Sequence, residues 1–145
     1  MFGKGRRLFS IASAALVVAG CLLAAVQLQP APSDLALTAL HAAMRAYEVD
    51  LGFSPAPIMS LFESFGIGTG VLLVWVGLMN LAVAHHVPVG DRLIRTICTL
   101  DIVGGWLLVW VCVHFDLPTA AIGLAVIATL FTVARFRVRL AHPHL

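Results

Sequence analysis

Charge is scarce in this chain: Asp, Glu, Lys and Arg make up only 11% of the 145 residues, against 61% apolar residues. A reader of nucleic acid would need a basic face on a soluble domain, and a net charge of +2 spread over apolar sequence supplies none. Cysteine is also sparse, with Cys21, Cys98 and Cys112 at different depths in apolar runs. Cys98 and Cys112 are separated by ~21 Å of helix rise, whereas a disulfide spans only ~4.4 to 6.8 Å between Cα atoms. With no C-x-x-C pair and no Cys/His cluster, no redox pair or metal centre is expected, and the three cysteines read as small core residues. No strand precedes Gly66-x-Gly68-x-Gly70, so these glycines imply no phosphate loop. His85-His86 and His114 fall at opposite ends of apolar stretches and cannot ligate a haem together. No catalytic constellation and no cofactor is expected.

Apolar length is what the chain has. Four stretches, 8–28, 58–84, 93–114 and 117–135, reach or approach the ~20 residues that a membrane-spanning helix requires. The links at 85–92 and 114–118 are too short for anything but antiparallel neighbours. The expected fold is therefore all-α: an integral membrane, antiparallel four-helix transmembrane bundle forming a single domain over 1–145. Asp91 and Asp116 are placed to cap the third and fourth spans, with Pro118 acceptable in a first helical turn.

The few basic residues are unevenly placed. Lys4, Arg6 and Arg7 precede the first span, Arg92 and Arg95 enter the third, and Arg135, Arg137 and Arg139 follow the fourth, all on one side of a four-pass chain. Only Arg45 falls on the other side. Basic residues in short loops stay cytoplasmic, so both termini are expected in the cytoplasm of a bacterial inner membrane, with 29–57 outside.

The N-terminus admits two readings. Val18-Ala19-Gly20-Cys21 looks like a lipobox, in which Cys21 would become a lipidated N-terminus. However, Leu22-Leu23-Ala24-Ala25-Val26 carries the apolar run past the cysteine with no polar break, so 1–28 is expected to stay attached as the first span, its Gly-Cys pair admitting a close neighbour. Intact mass spectrometry checks this. A mature chain beginning at a lipidated Cys21 would remove the first span.

Between breakers at 30–33 and 52–57, Leu37, Leu40, Met44, Tyr47 and Leu51 recur at helical spacing opposite Asp34, Thr38, His41, Arg45 and Glu48. An outer amphipathic helix over 34–51 is expected, capped by Ser33 or Asp34 and ended by Gly52, resting on the outer bilayer surface or across the bundle mouth.

Polar residues inside spans are expensive, and their placement is informative. Ser10, Ser13, Asn80, Thr96, Thr99, Asp101, Thr129 and Thr132 all fall in the cytoplasmic half, and Asp101 with Asn80, Thr99 and Thr129 forms a candidate intramembrane layer. Asp101 should face the bundle interior, either as a proton or ligand site or in a structural bond to Asn80 or a threonine. Ser60-Leu61-Phe62-Glu63 matches a capping box, and otherwise Glu63 would join His41, Arg45, Glu48 and His114 in a candidate outer site. Solvated polar faces show the same spacing. Gly66, Gly68, Gly70 and Gly77 thin one side of the second span for close packing, and Gly104-Gly105 do likewise in the third. Trp75, Trp106 and Trp110 read as core or lipid-facing aromatics.

The runs His41-Ala-Ala-Met44-Arg45, Val49-Asp50-Leu51-Gly52, Leu61-Phe62-Glu63-Ser64-Phe65-Gly66 and Gly70-Val-Leu-Leu-Val-Trp-Val-Gly77-Leu-Met-Asn80-Leu81 resemble a family of small bacterial four-helix membrane proteins named after a Leptospira hypothetical protein. The resemblance covers 41–81. It implies a four-pass fold, directs attention to the outer helix and the start of the second span, and carries no catalytic residue. Three function classes remain open. The shortage of reactive groups favours a non-enzymatic protein: a subunit of a homo-oligomer or of a membrane-protein complex, or a binder of a small ligand or lipid. A small proton-coupled transporter would rest on Asp101 or Glu63, and a membrane enzyme would act on lipid or quinone.

Overall fold

The computed structural model describes residues 3–29, 34–50, 52, 55–86, 92–114 and 117–140. In chain order these form α1 (Gly3–Gln27), α2 (Leu35–Ala46), β1 (Glu48–Asp50), β2 (Pro55–Pro57), α3 (Ile58–His86), α4 (Arg92–His114) and α5 (Pro118–Leu140). Helices α1, α3, α4 and α5 are long and apolar enough to cross a membrane. Each overlies one predicted span, and α1 and α5 run on past it into basic sequence. Apolar length marks only the part that can sit in hydrocarbon, whereas the backbone ladder continues through Arg and Lys, which are good helix formers.

The chain divides into two compact units, one made of Met1–Ala19 with Val74–Leu145 and the other of Gly20–Leu73. In the first, Phe9, Ala12, Ser13 and Leu16 of α1 and Ile127, Ala128, Phe131 and Ala134 of α5 are buried at intervals of three and four residues. That spacing puts each set on one helix face. The rings of Phe9 and Phe131 meet edge to face at 5.8 Å. Two glycines allow close helix approach: a Cβ on Gly77 would lie 2.8 Å from the Ser13 carbonyl oxygen, and one on Gly105 would lie 3.1 Å from the Ala128 Cβ. Gly104 meets open space instead of a neighbouring helix. Pro118 opens α5 as expected, needing no hydrogen bond at that position. The proposed caps Asp91 and Asp116 lie outside the described residues.

The outward faces of this unit are apolar. Leu100 and Ile122 are each 67% exposed and Trp75 is 64% exposed, and Val103, Trp106, Leu107, Trp110 and Val126 are exposed as well. A water-soluble surface rarely exposes so many large apolar side chains, and they are what helices long and apolar enough to cross a membrane would present to lipid. The three tryptophans are thus outward aromatics.

In the second unit, a Cβ on Gly70 would lie 2.7 Å from the Gly20 carbonyl oxygen, and one on Gly66 would meet the Gln27 side chain at 2.6 Å. Gly68 meets open space and takes no part in the packing expected of it. The Gly-Cys pair splits in the same way, since Gly20 is buried and Cys21 exposed. Cys98 is buried and Cys112 half-buried, so the core reading of the cysteines fails for Cys21. An exposed helix position between small residues simply points away from the neighbour that its glycine admits.

Helix α2 starts as expected, with Asp34 Oδ1 accepting the Ala36 N–H at 2.8 Å. It stops at Ala46, and the expected continuation to 51 does not occur. Instead Glu48, Val49 and Asp50 pair antiparallel with Pro57, Ala56 and Pro55. Tyr47 and Val49 favour extended backbone, and Pro55 and Pro57 are tolerated because a two-stranded hairpin has free edges. Gly52, expected as a helix stop, serves the hairpin turn at φ +80° with its N–H donating to Asp50 Oδ1. Ile58 N–H then donates to the Tyr47 carbonyl at 3.0 Å, tying the start of α3 to the hairpin. No residue of α2 is buried; Leu37 and Leu40 of its apolar face are exposed, as is Tyr47 just past its end.

Candidate functional site

The inner polar residues resolve into one inter-helix bond. Gly77, Asn80 and Ala84 are buried on one face of α3, and Ile94, Cys98, Asp101 and Gly105 share one face of α4 by their spacing. Asn80, 4% exposed, donates from Nδ2 to Asp101 Oδ2 at 2.9 Å. A bond from amide to carboxylate in weakly solvated surroundings is among the stronger neutral-to-charged contacts, and this one holds α3 to α4.

The threonines do not join it. Thr99 donates its hydroxyl to the Arg95 carbonyl at 2.8 Å and Thr129 to the Ala125 carbonyl at 2.7 Å. Thr96, Thr132 and Ser13 likewise donate four residues back along their own helices. A hydroxyl has one proton, and bonding the preceding turn is the local alternative to an inter-helix partner. The candidate layer of Asp101, Asn80, Thr99 and Thr129 is therefore a pair flanked by self-satisfied hydroxyls. Among the described residues, no buried side-chain nitrogen or oxygen lacks a partner.

The outer group is brought together only in part. Arg45 Nη2 lies 3.9 Å from Glu63 Oε1, both substantially exposed, a separation at which an ion pair contributes ~0 to 1 kcal/mol. The capping-box reading of Glu63 is overturned: α3 begins at Ile58, so Ser60 already lies inside its first turn. Glu48 stands in β1 opposite Pro57, and so does not continue the helical face of His41 and Arg45. His41 is half-exposed on α2. His114 belongs to the other unit, where its ring stacks on Trp110 at 5.5 Å and 12°.

A constellation missed in the sequence lies at the basic end of the first unit. Arg6 Nη2 donates to the His85 carbonyl at 3.0 Å, and Arg135 Nη1 to the Arg95 carbonyl at 3.3 Å. Arg92, Arg95, Thr96, Thr99 and Arg135 line an open polar cleft of about 260 Å³. Read singly, these arginines are topology charges. The available signal was the recurrence of Arg92, Arg95, Thr96 and Thr99 at intervals of three and four residues, which gathers them on one side of α4.

No group of three or more His, Cys, Asp or Glu suited to a metal ion occurs among the described residues. Comparison of the chain with protein families, curated proteins and solved structures yields no match.

Proposed function

We propose that this protein is a four-pass helical bundle of a bacterial inner membrane, with both termini and the 85–92 link in the cytoplasm. Its role is that of a non-enzymatic subunit of a membrane-protein complex or homo-oligomer, or of a small-ligand or lipid binder, the four-pass reading agreeing with the resemblance noted over 41–81. Orientation rests on the arginines: Arg6 of α1 reaches the His85 carbonyl at the end of α3, and Arg135 of α5 reaches the Arg95 carbonyl in the first turn of α4. One observation favours this role over proton transport: Asp101, the deepest acid of the spans, is bonded to Asn80 and so serves to hold helices together.

Reporter fusions after residues 50 and 90 are expected to report opposite compartments. The same compartment for both would refute the topology. For the role, native mass spectrometry of gently solubilised protein is expected to find a second subunit or a small molecule at fixed stoichiometry. A proton flux in proteoliposomes that disappears in Asp101→Asn would refute it and favour the transporter reading, which rests on Asp101 within a span and on Glu63.

A further inference from the structure

The cleft at the basic end has an unbalanced charge. Arg92 and Arg95 from α4 and Arg135 from α5 share its lining with Thr96 and Thr99, and no carboxylate lines it among the described residues. Guanidinium groups gathered in one cleft repel one another until an anion joins them. The nearest acid along α4 does not serve. At about 100° per residue, Asp101 lies roughly half a turn around the helix from Arg92 and Thr99, and its Oδ2 accepts from Asn80.

The donors are also of one kind. The hydroxyl protons of Thr96 and Thr99 go to the Arg92 and Arg95 carbonyls, so the donors left in the lining are the guanidinium N–H groups. Arg135 is held in place by its Nη1 bond to the Arg95 carbonyl, and its remaining N–H groups are available. Planar guanidinium groups match the paired oxygens of a phosphate. A volume of about 260 Å³ admits a phosphate group with several waters, each occupying ~30 Å³.

We propose that Arg92, Arg95 and Arg135 form a binding site for a phosphate-group anion, supplied by the headgroup of an acidic phospholipid or by a free phosphate. The site opens on the side of α4 opposite Ile94 and Cys98, which are buried in the core, so a headgroup reaches it from the surrounding leaflet. Basic clefts at the charged ends of spanning helices hold acidic headgroups in this way. The lipid source rests on the four-span reading; the free-phosphate source does not, and the reporter fusions test that reading independently.

The test is native mass spectrometry of the purified full chain in detergent, with added phosphatidylglycerol, phosphatidylcholine or inorganic phosphate. Preferential retention of phosphatidylglycerol over phosphatidylcholine, lowered about tenfold by Arg92→Gln and by Arg135→Gln, supports the site with a lipid source. Inorganic phosphate retained with the same arginine dependence, without lipid preference, supports it with a free source. Arg137→Gln removes equal charge from an exposed α5 position and is expected to leave retention unchanged. Arg92, with its guanidinium in the open cleft, guards against misfolding in the Arg135 variant, and thermal unfolding confirms that each variant is folded. Retention that is insensitive to Arg92 and Arg135, or lowered equally by Arg137→Gln, would overturn the proposal.

Discussion

Gly70→Leu is expected to lower the thermal midpoint in detergent by on the order of 10 °C, corresponding to ~3 kcal/mol in a chain of this size. The first added carbon would sit 2.7 Å from the Gly20 carbonyl oxygen, 2.9 Å from the Ala24 nitrogen and 3.0 Å from its Cβ. Two of these three atoms are backbone. A flexible side chain could swing aside, as Gln27 would for a group on Gly66, but a carbonyl moves only with its helix. Overpacking usually costs ~1 to 3 kcal/mol, and an immovable neighbour puts this case at the upper end. Gly68→Leu is the matched control, since nothing lies within 4 Å of its added carbon. It should leave the midpoint unchanged or raise it, because leucine is the better helix former. Equal midpoints for the two variants would show that Gly70 does not face α1.

Asp101→Leu should destabilise by ~1 to 3 kcal/mol, because it strands the Nδ2 of Asn80 in a site that is only 4% exposed. Asp101→Asn keeps an oxygen acceptor at the same place and should remain within ~1 kcal/mol of the parent. The informative variant is the double one. Removing both polar groups with Asn80→Leu and Asp101→Leu leaves no orphan, so the double variant should be more stable than Asp101→Leu alone. Thermal unfolding of the four proteins gives this cycle directly. A silent Asp101→Leu would mean that the 2.9 Å bond does not join α3 to α4.

What could be read from the residues alone follows from the range of the forces involved. Helices α1, α3, α4 and α5 were visible because hydrocarbon selects long apolar runs whatever their partners are. Asp34 was legible as a cap, and Asn80 as one of the partners open to Asp101, because local spacing and depth along a helix constrain both. The hairpin at 48–57 was not legible: Tyr47 and Leu51 fit a helical stripe, while the pairing of Val49 with Ala56 depends on a partner strand made of prolines. Glu63 was misread for a related reason, since the capping pattern holds only if Ser60 precedes the helix, and α3 had already begun at Ile58. Cys21 failed because a Gly-Cys pair specifies that one helix side is thin without saying which residue lies on it. The basic cleft was hidden by sorting Arg92, Arg95 and Arg135 by membrane side alone; Arg135 joins the others only through the packing of α5 against α4.

The edge-to-face contact of Phe9 with Phe131 has a consequence for biosynthesis. The two rings belong to α1 and α5, the first and last of the long helices described, so the first unit cannot close its core until α5 has left the ribosome. Until then, α1 has α3 beside it, through the approach of Gly77 to Ser13, but Phe9 lacks the ring that completes its packing. Closure of so long a loop is slow compared with the local pairing of α4 with α5. A nascent chain stalled before residue 131 should therefore dwell as an open intermediate, and the time spent there sets how long quality-control proteases have to recognise it.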